Sequence, residues 1–219
     1  MIIEKSTLAF LKELKKHNNR EWFQANRDKY EAAKSNFAGF VESVISKMQA
    51  FDTTLDGLDV KQTLFRINRD IRFSKNKSPY KENFAASITA GGKKIARAGY
   101  YLHLQPGAHF IGGGWYMPDA KNLNAIRQEI DYNLAEFNKL LGQSGFRKTY
   151  GELDDFRLKT KPKGYEADHP AIEHLRQKSY IASTSFSNEE VLDSGFEKTV
   201  VNAFKTLHPL VTFLNRSVD

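Results

Sequence analysis

A chain of 219 residues, 40% of them hydrophobic and 27% charged, can bury a sizeable core without a metal or disulfide to staple it. It has no cysteine, which excludes disulfides, thiol nucleophiles, iron–sulfur clusters and cysteine-ligated zinc. The net charge of +7 favours an anionic partner, and no window approaches the roughly 20 consecutive apolar residues of a membrane span. The opening MIIEKSTLAF has neither the basic start nor the apolar run of a signal peptide, so the expectation is a cytoplasmic protein with no membrane partner.

Ser6 is placed to cap a first helix carrying Leu8, Leu11 and Leu14. His17-Asn18-Asn19 breaks it, and Asn19 caps a longer helix. The apolar stripe of that helix runs through Trp22, Phe23, Tyr30, Ala33, Phe37, Val41, Val44 and Met48. Phe51 to Asp59 reads as a loop. Four strands are expected next: Thr63 to Ile67, Asn83 to Ala90, Gly99 to Gln105 and His109 to Tyr116, with Pro106-Gly107 turning the chain between the last two. Such a meander implies an antiparallel sheet.

Pro118 and Asp119 open a helix whose stripe runs from Leu123 to Leu141, and Gly142 stops it. Residues 143–170 read as irregular. A short helix over Ala171 to Lys178 and a strand over Tyr180 to Phe186 follow. Ser187 and Glu190 have the spacing of a capping box, and a final helix carries Phe196, Val200, Phe204 and Leu207 before a kink at Pro209. The class is α+β: a central antiparallel sheet with N-terminal and C-terminal helices packed on it. We expect one domain over residues 1–219, helical to about residue 50, β-rich over about 60–117, then helical with one further strand.

The charge is concentrated. Lys61 to Lys81 holds seven basic residues and Asp70 alone among acids, a net +6 in 21 residues that leaves +1 for the remaining 198. Within it, Arg66, Arg69 and Arg72 recur at steps of three. Guanidinium forks bind phosphate or carboxylate oxygens in pairs, and Lys77 and Lys81 add point charges. Ser74 can donate to an oxyanion, Pro79 stiffens the loop, and Tyr80 offers a ring for stacking. The alternative is a solvated basic loop in which Asp70 pairs with a neighbouring arginine.

The segment FR-x-NRD-x-RFS-x-x-K-x-PYK resembles the signature of an uncharacterised family found in bacteria and fungi, catalogued as a domain of unknown function. The likeness extends to NNREWF (Asn18 to Phe23), YYLHLQPG (Tyr100 to Gly107), GGGWYMP (Gly112 to Pro118) and GYEADHP (Gly164 to Pro170). The resemblance carries no established reaction. It implies that these motifs characterise relatives.

Three further features carry chemistry. Gly112-Gly113-Gly114, at a strand end, either turns backbone N–H groups toward a phosphate, with Gly113 at its centre, or gives way to close packing. It is no P-loop, because no Gly-Lys-Ser/Thr follows. His103 and His109 flank the turn: a two-residue loop puts them on opposite faces, a three-residue loop on one. No third ligand accompanies them, so no metal is expected, and His103 is read as a hydrogen-bonding group near the basic segment. Asp168-His169-Pro170 offers His169 as the acid/base candidate, with Asp168 read as the cap of the helix that follows. Lys161, Lys163 and Tyr165 make that loop a second basic patch able to close over a ligand. No nucleophile elbow occurs.

The reading is a protein whose basic cleft binds an anionic, phosphorylated small molecule or nucleotide. The ligand residues are Arg66, Arg69, Arg72, Ser74, Lys77, Tyr80, Lys81, His103, Gly113 and Lys163, and the glycine run and the Lys163–His169 loop are expected to form further walls. The alternatives are nucleic-acid binding through phosphates, with Tyr80 or Trp115 stacking on bases, and docking of an acidic protein partner. Sequence names neither a reaction, a cofactor nor an oligomeric state.

Overall fold

Helix α1 (Lys5–Lys16) opens the computed structural model, which describes all of Met1–Asp219. Its cap position is Glu4, two residues earlier than expected: the Glu4 N–H donates to Asn36 Oδ1, and Ser6 Oγ donates to the Glu4 carboxylate. Asn19 caps α2 (Arg20–Ala25) by accepting from the Trp22 N–H at 2.9 Å. The long helix expected from Asn19 is two helices. Asn26, at φ −116°, leaves helical geometry, and α3 (Arg27–Met48) starts afresh. The loop that follows contains short 3-10 turns at Thr53–Leu55 and Val60–Gln62, capped by Asp52 and Asp59.

Strands β1 (Phe84–Ile88), β2 (Gly99–Leu104), β3 (His109–Trp115) and β4 (Tyr180–Phe186) form an antiparallel sheet in the order β1-β2-β3-β4. Between β3 and β4 run α4 (Ala120–Tyr132), α5 (Leu134–Leu141), α6 (Ser144–Tyr150) and α7 (Ile172–Leu175). Asp119 caps α4 through the Asn122 N–H. The stripe from Leu123 to Leu141 is broken at Asn133, whose amide donates back to Glu129. The capping box forms at α8 (Asn188–Leu192), with both Ser187–Glu190 hydrogen bonds present. Helix α9 (Phe196–Arg216) continues past Pro209, which lies inside it. No helix is long and apolar enough to cross a membrane.

The chain forms two compact units. The first comprises Met1–Lys93, Tyr101–Ile111 and Ser185–Val201. Its core is aromatic: Phe10, Tyr30 and Phe37 gather on Phe84 of β1, so α1 and α3 pack on that strand. Each such buried ring contributes roughly 1.5–3 kcal/mol. The second comprises Lys94–Tyr100, Gly112–Thr184 and Asn202–Asp219. There Phe204 of α9 packs on Tyr100 at 5.2 Å, and Phe137 meets both Tyr180 and Phe213.

Candidate functional site

The basic segment is an irregular hairpin. No continuous strand forms over Thr63–Ile67. Instead two isolated antiparallel bridges, Leu64 with Ala86 and Asn68 with Tyr80, hold the arms together. The hydrogen bonds Phe65 N to Ala85 O, Lys81 N to Ile67 O and Arg69 N to Pro79 O complete the pairing. Five residues of the first arm, Leu64 to Asn68, face seven of the second, Tyr80 to Ala86, so the second arm carries two extra residues. They fall at the bend over Glu82 and Asn83. A bulge of this kind re-aims side chains, and here it sits beside Lys81 and Asn83.

The three arginines have different fates. Arg69 is turned inward, donating to Ser78 O at 3.0 Å and Ser74 Oγ at 3.3 Å, so both Arg69 and Ser74 shape the hairpin tip. Arg72 forks onto Asp70 at 3.0 and 2.7 Å; this pair holds the Asp70 carboxyl below its ordinary value and the guanidinium above its own. Lys77 donates to Ile71 O at 3.1 Å. Arg66 alone of the three makes no hydrogen bond or ion pair, and it is exposed. Lys81 is half-buried with no acceptor, its ammonium 5.3 Å from the centroid of the Phe65 ring. Burial first, and the nearby positive charge of Arg66 second, push its pKa below the ordinary lysine value.

Beside this pair lies a polar–aromatic layer on the sheet. In β2, Tyr100, Leu102 and Leu104 are buried while Tyr101 and His103 are half-buried, the alternation of a strand with one face to the core. The Gln105–Pro106–Gly107–Ala108 turn closes with Ala108 N to Gln105 O at 2.8 Å, and Gly107 sits at φ +80°. That is a type II turn with proline and glycine where such a turn wants them. It is the two-residue loop, so His103 and His109 face opposite ways. His109 is 1% exposed and bonded to Asn188 Oδ1. His103 stacks on its cross-strand neighbour Phe110 at 4.7 Å.

The hydrogen bonds assign the His103 tautomer. Gln105 Oε1, 3.0 Å from Nε2, can only accept, so Nε2 carries the proton. Nδ1 therefore accepts from the Tyr101 hydroxyl at 3.1 Å. Burial lowers the His103 pKa against the opposing Gln105 bond, and burial raises that of Tyr101. The imidazole and phenol are thus both neutral near pH 7. The Asn83 amide nitrogen lies 3.1 and 3.0 Å from the two imidazole nitrogens, while its Oδ1 is buried with no partner. Phe65 closes the group, meeting Tyr101 edge-on at 6.2 Å.

The other residues singled out from sequence sit elsewhere. Tyr80 is 5% exposed and stacked on Phe23 at 4.0 Å, so its ring belongs to the core and offers no face to a base; Trp115 is also 5% exposed. Gly113, Lys163 and His169 belong to the second unit. A Cβ on Gly113 would stand 2.8 Å from Gly99 O, so close packing is what this glycine serves. Lys163 is exposed on its loop. Both nitrogens of His169 are engaged: Nδ1 accepts from the Ala171 N–H at 3.1 Å, and Nε2 lies 3.1 Å from Asp131 Oδ1. His169, rather than Asp168, thus satisfies the backbone ahead of α7. Sequence reasoning passed over Phe65, Asn83 and Tyr101. The alternation of β2 was the available signal for Tyr101.

Fold and site together define an α+β protein with a four-stranded antiparallel sheet, and with a half-buried lysine and an exposed arginine beside a polar–aromatic layer. The chain belongs to the DUF2461 family of conserved hypothetical proteins, whose family model matches residues 6–213. No curated protein and no solved structure matches it.

Proposed function

We propose that the first unit binds a phosphorylated small molecule, such as a nucleotide or sugar phosphate, at Arg66 and Lys81. One observation carries this reading: two cations close enough to perturb one another, one of them half-buried, make no hydrogen bond or ion pair with any acid or carbonyl, and Asp70, the acid whose carboxylate feels Arg66, is already forked by Arg72. Like charges held together in this way are relieved by an anion. Arg66 supplies a forked donor and Lys81 a point charge. Phe65, 40% exposed, offers a ring beside them. Arg69, Ser74 and the Arg72–Asp70 fork shape the hairpin that presents the pair. His103 stands as a neutral base behind the Tyr101 hydroxyl, a relay suited to proton transfer if the ligand is also a substrate.

A thermal-shift screen with inorganic phosphate, nucleotides and sugar phosphates tests this. A ligand at about a hundred times its Kd stabilises by about 2.7 kcal/mol, which raises the midpoint of a chain this size by about 5–10 °C. Arg66→Ser and Lys81→Met should each abolish most of that rise. If no phosphorylated compound raises the midpoint, or both variants respond as the parent does, the reading is wrong.

A further inference from the structure

Phe73, at the tip of the basic hairpin, is 96% exposed, the most exposed large apolar side chain in the chain. It is held there by a network of bonds within the tip. Arg69 ties Ser74 to Ser78, Lys77 donates to Ile71 O, Ser78 N donates to Asn76 Oδ1, and Ser74 N donates to Ile71 O. The Arg72 guanidinium, fixed by its fork on Asp70, lies 5.8 Å from the Phe73 centroid. The tip thus displays an aromatic ring in a preset position, flanked by a cation and followed by Lys75 and Lys77.

Next to it is a shallow groove of about 480 Å³, lined by Asn18, Asn19, Arg20, Ile71, Lys77, Ser78 and Pro79. Its lining is mostly polar and basic, with Pro79 and Ile71 as the apolar members. From these we infer that the hairpin tip and groove bind single-stranded nucleic acid: one base stacks on Phe73, and the neighbouring nucleotide lies in the groove with its phosphates against Arg20, Lys75 and Lys77. Ring stacking beside cations that follow the backbone is how proteins hold single strands without a sequence code. A lipid surface is the lesser fit, because the tip carries one exposed apolar ring among polar and charged residues, too little apolar area to insert into a bilayer. This inference stands apart from the Arg66–Lys81 reading, which concerns other side chains of the same hairpin.

The test is fluorescence anisotropy of the full chain with labelled oligouridylate and oligothymidylate of about a dozen nucleotides, at about 50 and 200 mM salt. Phe73→Ala should weaken binding about tenfold or more, with Phe73→Tyr close to the parent and the melting temperature unmoved in both. Lys75→Gln/Lys77→Gln should lower the log–log salt slope by about 1.4, for two phosphates of a single strand. Vesicles of phosphatidylcholine with about one-third phosphatidylserine run in parallel. The inference is overturned by no saturable binding at the lower salt, by Phe73→Ala binding as the parent does, or by vesicle flotation that needs Phe73 while oligonucleotides do not bind. Arg66→Ser/Lys81→Met should retain oligonucleotide binding, so failure of the phosphate screen and failure here are separate results.

Discussion

Asn18 holds both backbone groups of Tyr80: its Nδ2 donates to Tyr80 O at 3.0 Å, and its Oδ1 accepts from Tyr80 N at 3.1 Å. The Tyr80 ring meanwhile stacks on Phe23 of α2. The residue next in the chain is Lys81, whose own N–H is fixed on Ile67 O at 2.8 Å. The half-buried lysine therefore stands on backbone clamped from two directions, and the motif around Asn18 bears on the cationic pair through Tyr80. Clamping of this kind lowers the ordering cost of binding an anion.

Removing that clamp should show first in stability. Asn18→Ala leaves two part-buried backbone groups to water, a cost of about 2 kcal/mol, or a fall of about 4–8 °C in melting temperature. Asn18→Asp keeps the acceptor, loses the donor and sets a carboxylate against the Tyr80 carbonyl, so its fall should be at least as large at neutral pH. Calorimetry that finds both variants within about a degree of the parent removes the clamp from the argument.

Lys81 makes a prediction about pH. Its pKa in the folded chain lies below the ordinary value of 10.5, so in the window just under 10.5 the unfolded chain holds more protons than the folded one. Stability from this group therefore rises with pH there, and Lys81→Met should lack that rise. Anion binding runs the opposite way, because it needs the charged amine: affinity for phosphate should fall as pH climbs through the lowered pKa. Lys81→Met without ligand should change stability by no more than about 1 kcal/mol. A large loss would mean that the ammonium is structural.

Glu197 governs the acid side. Burial opposes its ionisation, but hydrogen bonds from Lys47, Ser43 and the terminal amine outweigh burial and hold the pKa at about 2, against an ordinary 4.5. A depressed carboxylate contributes stability that is complete above 4.5 and lost as pH falls toward 2. Urea midpoints at stepped pH should therefore decline through that window in the parent, and the decline should be shallower in Glu197→Gln. Equal slopes would place the acid sensitivity elsewhere.

Much of the fold was legible because periodicity is local. The alternation in GYYLHLQ and YIASTSF, the Ser187–Glu190 capping box and the Asp119 cap each act within a few residues. What sequence hid was set by partners far along the chain. Asn26 and Asn133 break helices whose apolar stripes continue across them, and α6 lies in a stretch too polar to show a stripe. Arg66, Arg69 and Arg72 look equivalent at steps of three. Only the hairpin's register decides that Arg69 serves the tip, Arg72 serves Asp70 and Arg66 has no partner. Tyr80 read as a stacking ring because its partner Phe23 lies 57 residues away in sequence.

The glycine run allows the sharpest test of packing against ligand. Gly114 sits at φ +112°, and a Cβ there would stand 2.0 Å from Tyr180 O, a distance that no rotamer change relieves. Gly107 is also left-handed, at φ +80°, yet a Cβ there meets nothing within 4 Å. The two positions share the backbone penalty and differ in the clash. Gly107→Ala should cost about 1 kcal/mol, and Gly114→Ala about 4 kcal/mol or more. Gly113→Ala, with Gly99 O at 2.8 Å and Leu207 Cδ1 at 3.0 Å, should fall between them. Urea unfolding of the three variants gives the order directly. If Gly113→Ala and Gly114→Ala unfold with Gly107→Ala while the phosphate response is lost, these glycines act on a ligand and not through the sheet.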